Sequence, residues 1–364
     1  MKDGELLMKK NKTEWKEPKL SSKKSGMGYL LFGGLILFGI LANRTFFENV
    51  IQELRNVSPW LLVFVCILGL LYKVFDGVGL YLLGKDYKKE FTCKEAVKIA
   101  YYGAFFRVST LGSGMGISKI YYMNEQKIPV GDGMGICLLQ TIFIRLAYLT
   151  WGILAICFCH PVQEYTREHL VMMVVGTIAS VMVAIAFVFV AVQKKITQFL
   201  FEKIQSFLIK KQEKEKNSGK QTGRKIMTAT QCLEYVEKAK HQVDLLQQAA
   251  EVILKNKKKV CKMFALSMLM QALWYMIPSC IAAKSQVSFL ETFWIVALTS
   301  MLAGIIPMPS GFGSVEVIFS MLFRQIGSSV LAATSILIFR FMSTFVPFFV
   351  GAGLLMYRVR KRSS

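Results

Sequence analysis

Four charged side chains lie inside long apolar runs of this sequence, where a charge is costly. Arg145 lies midway along its run in QTIFIRLAYL, and Arg340 lies midway along another in LIFRFMSTFVP. Asp76 lies in a third run, one helical turn after Lys73. A charge at the centre of a bilayer costs about 2.5–3.5 kcal/mol on insertion scales, so it usually faces a partner or a polar interior. In such an interior the planar guanidinium of arginine is suited to binding a phosphate group.

Two interpretations of these charges stay open. In the first, they form buried ion pairs that fix how helices pack. Glu316 is then the natural partner of Arg340 or Arg145, and Asp76 pairs with the arginine that remains, while Lys73 pairs with Asp76 or extends toward the membrane surface. In the second, the arginines contact a phosphate-bearing ligand, and Glu316 balances one of them.

Two glycine-rich stretches interrupt apolar runs and match each other. Residues 113–119 read SGMGISK and residues 310–316 read SGFGSVE, so Lys119 corresponds to Glu316 at an offset of 197 residues. The free amides of a broken helix can hold an anionic group. The tip residues predicted to lie at the ligand are Gly114, Gly116, Gly311, Gly313, Pro307 and Pro309. The alternative is that these glycines only let helices pack closely.

The elements that must position these residues are membrane-spanning helices. The chain has 364 residues, 54% of them hydrophobic, and a net charge of +22. An apolar run of about 20 residues can cross a bilayer as a helix, and a shorter one can do so where the bilayer thins. The apolar runs cover residues 27–42, 59–84, 133–159, 170–192, 260–283 and 330–357.

Lysine and arginine mark the cytoplasmic side of a membrane protein. The first 24 residues, the segment 194–259 and the C-terminal RVRKRSS are rich in both, so we place these parts and both termini in the cytoplasm. Counting the spans then requires that residues 95–131 begin and end inside and that residues 288–327 begin and end outside. Each of these segments is predicted to be a re-entrant helical hairpin. The predicted fold is an all-α polytopic membrane protein with an inverted-topology repeat, about six full spans and two re-entrant hairpins.

The predicted organisation has five parts. A basic cytoplasmic tail covers residues 1–26, and residues 27–193 hold the first membrane repeat plus the first span of the second. A cytoplasmic insert covers residues 194–259. The rest of the second repeat covers residues 260–358, and a basic cytoplasmic C-terminus covers residues 359–364.

The insert is predicted to hold two amphipathic helices, at residues 196–209 and about 228–255, separated by a solvated linker at 210–225. The apolar stripe of the second helix is expected to pack on neighbouring protein; a homodimer is the alternative. Its lysines are expected to bind anionic lipid headgroups at the cytoplasmic face. We expect no nucleic acid partner unless a lysyltransferase partner is present, because lipid is the simpler partner for a basic patch beside membrane spans.

The sequence lacks the motifs of several enzyme classes. It contains no GxxxxGK[ST] phosphate loop and no HExxH zinc motif. Its cysteines and histidines lack the spacing of metal ligands. We therefore expect no cofactor, no metal and no catalytic residue.

Four stretches resemble the lysylphosphatidylglycerol synthase transmembrane-domain family of flippase-like membrane proteins, across roughly residues 27–358. TLGSGMGISKIYYMNEQKIPVGDGMG resembles its Gly-rich segment, QTIFIRLAYL its arginine-bearing span, and IFRFMSTFVPFFVG its closing span. IPMPSGFGSVE is similar to the family's Pro-x-Pro-Gly-Gly-x-Gly-x-x-Glu pattern, with Ser310 where the family has glycine. The first stretch departs more, because Leu111 and Gly112 stand where the family has a proline before its glycines.

The resemblance implies a protein of the cell membrane that moves lysyl-phosphatidylglycerol, or a related anionic or aminoacylated lipid, across the bilayer. The residues expected to contact that phospholipid are Arg145, Arg340, Glu316, Lys119 and Asp76, with the tip residues above. In longer members of the family a soluble domain transfers lysine from charged tRNA to the lipid, and the sequence predicts no such domain here. We therefore expect no lysyl transfer by this chain alone. A membrane half of a lysyltransferase that acts with a partner, and a lipid-binding scaffold without transport, stay open as alternatives.

Overall fold

The computed structural model describes residues 44–110, 112–217, 229–305 and 313–363. These parts of the chain are helical and contain no strand. The helices are α1 (Arg44–Asn56), α2 (Pro59–Gly84), α3 (Cys93–Ser109), α4 (Gly114–Glu125), α5 (Val130–Phe158), α6 (His160–Glu168), α7 (Leu170–Val192), α8 (Lys194–Asn217), α9 (Ala229–Leu254), α10 (Lys257–Lys284), α11 (Phe289–Ala303), α12 (Ser314–Phe323), α13 (Ser329–Arg340) and α14 (Val346–Ser363). A π-helical turn at Phe341–Phe345 joins α13 to α14.

Within the described residues, five helical segments are long and apolar enough to cross a membrane. They are Pro59–Gly84, Val130–Phe158, Met173–Val192, Lys257–Lys284 and Ser329–Lys361. They match five of the predicted spans, whereas the predicted span at 27–42 falls outside the described residues. Helix α7 turns a row of exposed apolar side chains outward, among them Val171, Val175 and Ile185, as a lipid-facing helix would. The prediction of an all-α polytopic membrane protein is confirmed.

Two pairs of shorter helices occupy the segments predicted to be hairpins. Helices α3 and α4 pack on each other, as do α11 and α12. The second arms, α4 and α12, have 12 and 10 residues. At 1.5 Å per residue these arms are roughly 18 and 15 Å long, well short of the about 30 Å of a bilayer's hydrocarbon core.

Contacts between helix ends place the two hairpins at opposite ends of the bundle. Lys259 at the start of α10 pairs with Asp86 just after α2, and Arg358 near the end of α14 pairs with Glu125 at the end of α4. The first hairpin therefore opens toward the same end as these basic segments, here called the basic end. At the other end, Ser285 after α10 donates to the Glu53 carboxylate of α1 over 3.1 Å. The second hairpin follows α10 directly and opens toward that end.

The two halves repeat the same order of elements. The helices α2, α3, α4 and α5 begin 196 to 200 residues before α10, α11, α12 and α13, close to the offset of the glycine motifs. The last span of each half packs on the first hairpin arm of the other half, so that α5 contacts α11 and α14 contacts α3. The two contacts are equivalent under the correspondence between the halves, as expected for an internal repeat.

A glycine lies at each of these two contacts between the halves, α5 with α11 and α14 with α3. A Cβ on Gly152 of α5 would lie 2.5 Å from the Met301 sulfur of α11. A Cβ on Gly351 of α14 would lie 2.3 Å from the Tyr101 carbonyl oxygen of α3. Helices can approach this closely only where a side chain is missing, so these two glycines set the spacing between the halves.

The first arm of each hairpin begins at a capped turn that its sequence encodes. Thr92 accepts a hydrogen bond from the Glu95 amide over 3.3 Å, and the Glu95 carboxylate accepts one from the Thr92 amide. Ser288 accepts one from the Glu291 amide over 3.3 Å. Both segments carry the Ser/Thr-x-x-Glu spacing of a helix start.

The π-helical turn at Phe341–Phe345 lies just before Pro347. Proline has no N–H to donate to the carbonyl of Ser343 four residues earlier, so the regular α-helical pattern is interrupted there. Gly69 of α2 lies against this turn, and a Cβ there would be 2.2 Å from the Met342 carbonyl oxygen.

Replacing Gly69 with alanine is expected to lower the free energy of unfolding by about 1–3 kcal/mol, because the added methyl group would collide with backbone that cannot rotate away. The matched control is Gly353→Ala in α14, where a Cβ meets nothing within 4 Å. Thermal unfolding of both variants in detergent tests this prediction. Equal unfolding temperatures would show that α2 does not need its close contact with the π turn.

The insert differs from its prediction in the length of its first helix. Helix α8 runs to Asn217 and so includes half of the predicted linker at 210–225. The reason is that KKQEKEK combines good helix formers with lysine–glutamate pairs one turn apart. The apolar stripe of α9 packs on α5 of the same chain, where Leu245 lies beside Gly131 and Ala249 beside Gly135. The expected packing on neighbouring protein is thus met within the chain.

Candidate functional site

Arg340, the last residue of α13, is 7% exposed and reaches across to the second hairpin. Its Nε donates to Oε1 of Glu316 over 2.5 Å, so the predicted pair of Arg340 with Glu316 is present. The other oxygen of Glu316 accepts a hydrogen bond from the Gly313 amide over 2.7 Å. One carboxylate therefore caps the start of α12 and holds the arginine of α13.

The capping role of Glu316 was missed by the sequence reasoning, although its signal is present. Gly313 and Glu316 have the spacing of an N-cap residue and the third residue of a helix. Gly313 has φ of +96°, a conformation that residues with a side chain rarely adopt, so glycine is required there.

Arg145 of α5 also reaches the second hairpin. Its guanidinium donates to the Gly304 carbonyl oxygen over 3.0 Å, at the break that follows α11. A Cβ on Gly304 would lie 2.6 Å from that nitrogen, so the missing side chain makes room for the arginine. Among the described residues no carboxylate pairs with Arg145. Within the described part of the chain, the hydrogen-bond partner of its guanidinium is a carbonyl dipole rather than a charge.

Three arginines interact electrostatically with one tyrosine of α5. The Tyr148 hydroxyl of α5 interacts electrostatically with Arg107, Arg145 and Arg340. Tyr72 of α2 and Tyr275 of α10 belong to the same group through their interactions with Tyr148. The arginine–tyrosine cluster is defined as Arg107, Arg145, Arg340, Tyr72, Tyr148 and Tyr275. Both halves of the repeat contribute to it.

Part of this cluster is accessible even though it lies midway along the spans. Arg107, Arg145 and Tyr148 are each partly exposed, whereas Arg340 is buried. Arg107 ends the first hairpin arm, and Arg340 is fixed to the second hairpin through Glu316. The cluster therefore connects the two hairpins. Residues 306–312, at the predicted tip of the second hairpin, lie outside the described ranges.

A buried amide beside the cluster has no partner. Gln271 of α10 is 0% exposed, and neither its amide nitrogen nor its amide oxygen has a hydrogen-bond partner among the described residues. It lies one helical turn before Tyr275, on the same face of α10. An unpaired buried amide costs about 1–3 kcal/mol, so this face is built to receive a polar group.

A second ionic group surrounds Asp76 of α2. Lys119 of α4 donates to its Oδ1 over 2.9 Å, and Lys73 donates to its Oδ2 over 3.1 Å. The Gln140 amide of α5 adds a hydrogen bond of 3.0 Å. The prediction that Asp76 pairs with an arginine is wrong, because Glu316 holds Arg340, Arg145 binds a carbonyl group, and Asp76 itself pairs with the two lysines. All members of the Asp76 group are at most 5% exposed.

The two ionic groups give this interior an excess of positive charge. Five cations, Arg107, Arg145, Arg340, Lys73 and Lys119, stand against two carboxylates, Asp76 and Glu316. Removing an unbalanced charge from water is costly, so an excess of cations favours an anionic ligand.

The predicted tip residues have different surroundings. The Gly114 amide donates to the Thr110 hydroxyl over 2.6 Å, and a Cβ on Gly114 would collide with that side chain, so Gly114 serves the turn itself. A Cβ on Gly116 would meet nothing within 4 Å, so its backbone faces open space. The remaining predicted tip residues, Pro307, Pro309 and Gly311, lie in 306–312, outside the part that the structure describes.

The sequence model of one protein family matches residues 27–351, and that family is described as Lysylphosphatidylglycerol synthase TM region. This chain belongs to that family. The match of the lysylphosphatidylglycerol synthase transmembrane region includes both hairpins, the arginine–tyrosine cluster and the Asp76 group. No curated protein and no solved structure matches the chain. Within the described residues, no three histidine, cysteine or carboxylate side chains are grouped as metal ligands.

Proposed function

We propose that this protein moves an anionic or aminoacylated phospholipid, such as lysyl-phosphatidylglycerol, across the cell membrane by binding the lipid phosphate at the arginine–tyrosine cluster. The observation that carries the proposal is that Arg107, Arg145 and Arg340 all interact electrostatically with Tyr148, and that Arg145 and Tyr148 line one cavity midway along α5. Three guanidinium groups supply donors in planar pairs that match phosphate oxygens. Tyrosine hydroxyls add donors on the other side.

The arrangement of the arginines supports passage of the ligand rather than permanent retention. Arg340 is held by Glu316, whereas Arg145 is held only by the Gly304 carbonyl group. A phosphate can displace a carbonyl dipole from Arg145 without leaving a buried charge unpaired. The partly exposed Arg107 and Arg145 would then receive the headgroup, and Arg340 with Glu316 would form the fixed wall of the site.

Glu316 has a further role in this proposal when the headgroup carries a lysyl group. Its carboxylate is 26% exposed although it is paired with Arg340. An ammonium group entering beside the phosphate would find this carboxylate accessible. An aminoacylated lipid is thus accommodated as well as a simple anionic one, and the positive interior favours the phosphate in both cases.

The two-hairpin arrangement supports alternating access from the two sides. Transporters built from inverted repeats place their substrate between discontinuous helices near the membrane midplane. Here each hairpin ends close to the cluster, one through Arg107 and the other through Gly304 and Glu316. Motion of either hairpin would open the cluster toward one side.

Reconstitution into liposomes tests the proposal. The purified protein is expected to accelerate movement of fluorescent phosphatidylglycerol or lysyl-phosphatidylglycerol between leaflets without any tRNA, as measured by a quencher added outside. Formation of lysyl-lipid from charged tRNA would favour the lysyltransferase alternative. Neither activity, together with bound lipid in the purified protein, would leave the scaffold alternative and overturn transport.

A further inference from the structure

A second opening lies at the basic end of the molecule, apart from the arginine–tyrosine cluster. It has a volume of about 630 Å³ and lies between the start of α3, the end of α4 and the last turns of α14. The basic groove is defined by Lys94, Lys98, Tyr122, Leu354, Arg358 and Lys361. Lys98 and Arg107 lie on the same helix, nine residues or roughly 14 Å apart along its axis, so the groove is a separate site.

The charge of the groove is mostly unbalanced. Lys94, Lys98 and Lys361 make no ion pair among the described residues. The one carboxylate in the lining is Glu95, which accepts a hydrogen bond of 3.1 Å from the Thr92 hydroxyl as part of the α3 cap. Surface lysines usually point into water, but here three of them line one concave surface. This arrangement favours an anion with several oxygen atoms.

Arg358 gives the groove a fixed donor. Its guanidinium lies 4.8 Å from the ring centre of Tyr122 and 5.8 Å from that of Tyr102, and it pairs with Glu125. Its side chain is 23% exposed. The stacking and the pair hold the planar group in place before any ligand arrives, which lowers the entropy cost of binding.

Apolar and aromatic side chains also line the groove. Leu354 and Tyr357 of α14 belong to this lining, and Tyr357 is 69% exposed. This surface belongs to a candidate membrane span, so acyl chains would lie against it. A ligand with a phosphate group and adjacent hydrocarbon therefore fits the groove better than a small soluble anion.

We propose that the basic groove binds the phosphate of an anionic phospholipid at the basic end of the protein. The site does not depend on transport through the centre, since it is built from the outer ends of α3, α4 and α14. Lys98 and Lys361 contact the phosphate oxygens, Arg358 supplies the planar donor, and the acyl chains follow α14.

The test compares two double variants that remove the same charge. Lys98→Gln/Lys361→Gln removes two lysines of the groove, whereas Lys89→Gln/Lys258→Gln removes two exposed lysines outside it. Binding of a fluorescent short-chain phosphatidylglycerol in neutral detergent is measured by anisotropy, with Arg145→Gln added to every protein compared, so that binding at the arginine–tyrosine cluster is weakened equally in all of them. The groove variant is expected to bind about five- to tenfold more weakly, and the control variant no more than twofold more weakly. Unfolding temperatures confirm that both variants are folded.

Competition identifies the source of the phosphate. Unlabelled short-chain phosphatidylglycerol is expected to displace the probe at concentrations at least tenfold lower than phosphatidylcholine of the same chain length or inorganic phosphate. Displacement by inorganic phosphate at the same concentrations as the lipid would overturn the assignment to lipid. Equal loss in both double variants, or no loss in either, would overturn the groove as a site.

Discussion

Replacing Arg340 with alanine is expected to reduce leaflet-to-leaflet movement of phosphatidylglycerol in proteoliposomes by roughly 100-fold or more. The change removes one of the three guanidinium groups around Tyr148 and leaves the Glu316 carboxylate unpaired inside the protein. Breaking a buried pair by removing one partner costs about 3–5 kcal/mol, and the uncompensated carboxylate would repel a phosphate. The rate of quenching of a fluorescent lipid measures the effect.

A structural role for the pair must be separated from a role in transport. The double variant Glu316→Gln/Arg340→Gln leaves no unpaired charge, so it is expected to recover much of the lost stability but none of the transport. Arg324→Ala, at an exposed arginine after α12, serves as the control for loss of one positive charge. Wild-type transport by the double variant would show that Arg340 and Glu316 only hold the helices together.

Replacing Asp76 with asparagine is expected to destabilise the protein by about 3–5 kcal/mol. Lys73 and Lys119 are 2% and 3% exposed, and both donate to this one carboxylate. Without it, two buried ammonium groups face each other across α2 and α4. Denaturant or thermal unfolding in detergent measures the change, with Glu90→Gln as a control at an exposed carboxylate.

A compensating change makes this prediction specific. Adding Lys119→Met to Asp76→Asn removes one of the two stranded charges and keeps a long flexible side chain, so it is expected to restore about half of the lost free energy. No recovery would mean that the loss comes from the hydrogen bond of the Gln140 amide to the Asp76 carboxylate rather than from charge.

The spans and hairpins could be predicted because they follow from local composition. Apolar runs of bilayer length mark the spans, and the positions of lysine and arginine force residues 95–131 and 288–327 to return to their own sides. The extent of α8 was wrong because a polar sequence of good helix formers looks the same as a solvated linker when hydropathy alone is considered.

The candidate site was only partly predictable. Arg340, Glu316 and Asp76 stand out because each is a charge in an apolar run, and one of the two open pairings for Glu316 is present. Tyr148, Gln140 and Gln271 carry no such signal, because tyrosine and glutamine occur in many transmembrane helices as packing residues. That three arginines interact with Tyr148 depends on how three helices, α3, α5 and α13, lie against one another, which no spacing within the chain encodes. The pair of Asp76 with Lys73 was among the open pairings and is present, whereas the pair with Lys119 was missed because Lys119 reaches Asp76 from another helix.

The π-helical turn at Phe341–Phe345 fixes more than the local path of the chain. Such a turn accommodates one residue more than an α-helical turn, and in an α-helix one residue corresponds to a rotation of about 100°. Helix α13 is therefore rotated by about 100° around the helix axis relative to α14. The direction in which Arg340 points around the helix axis is therefore set by this one additional residue, and Gly69 packs beside it. Conversion of the π turn to a regular α-helical turn would rotate the guanidinium away from Glu316 without a change in any charged side chain.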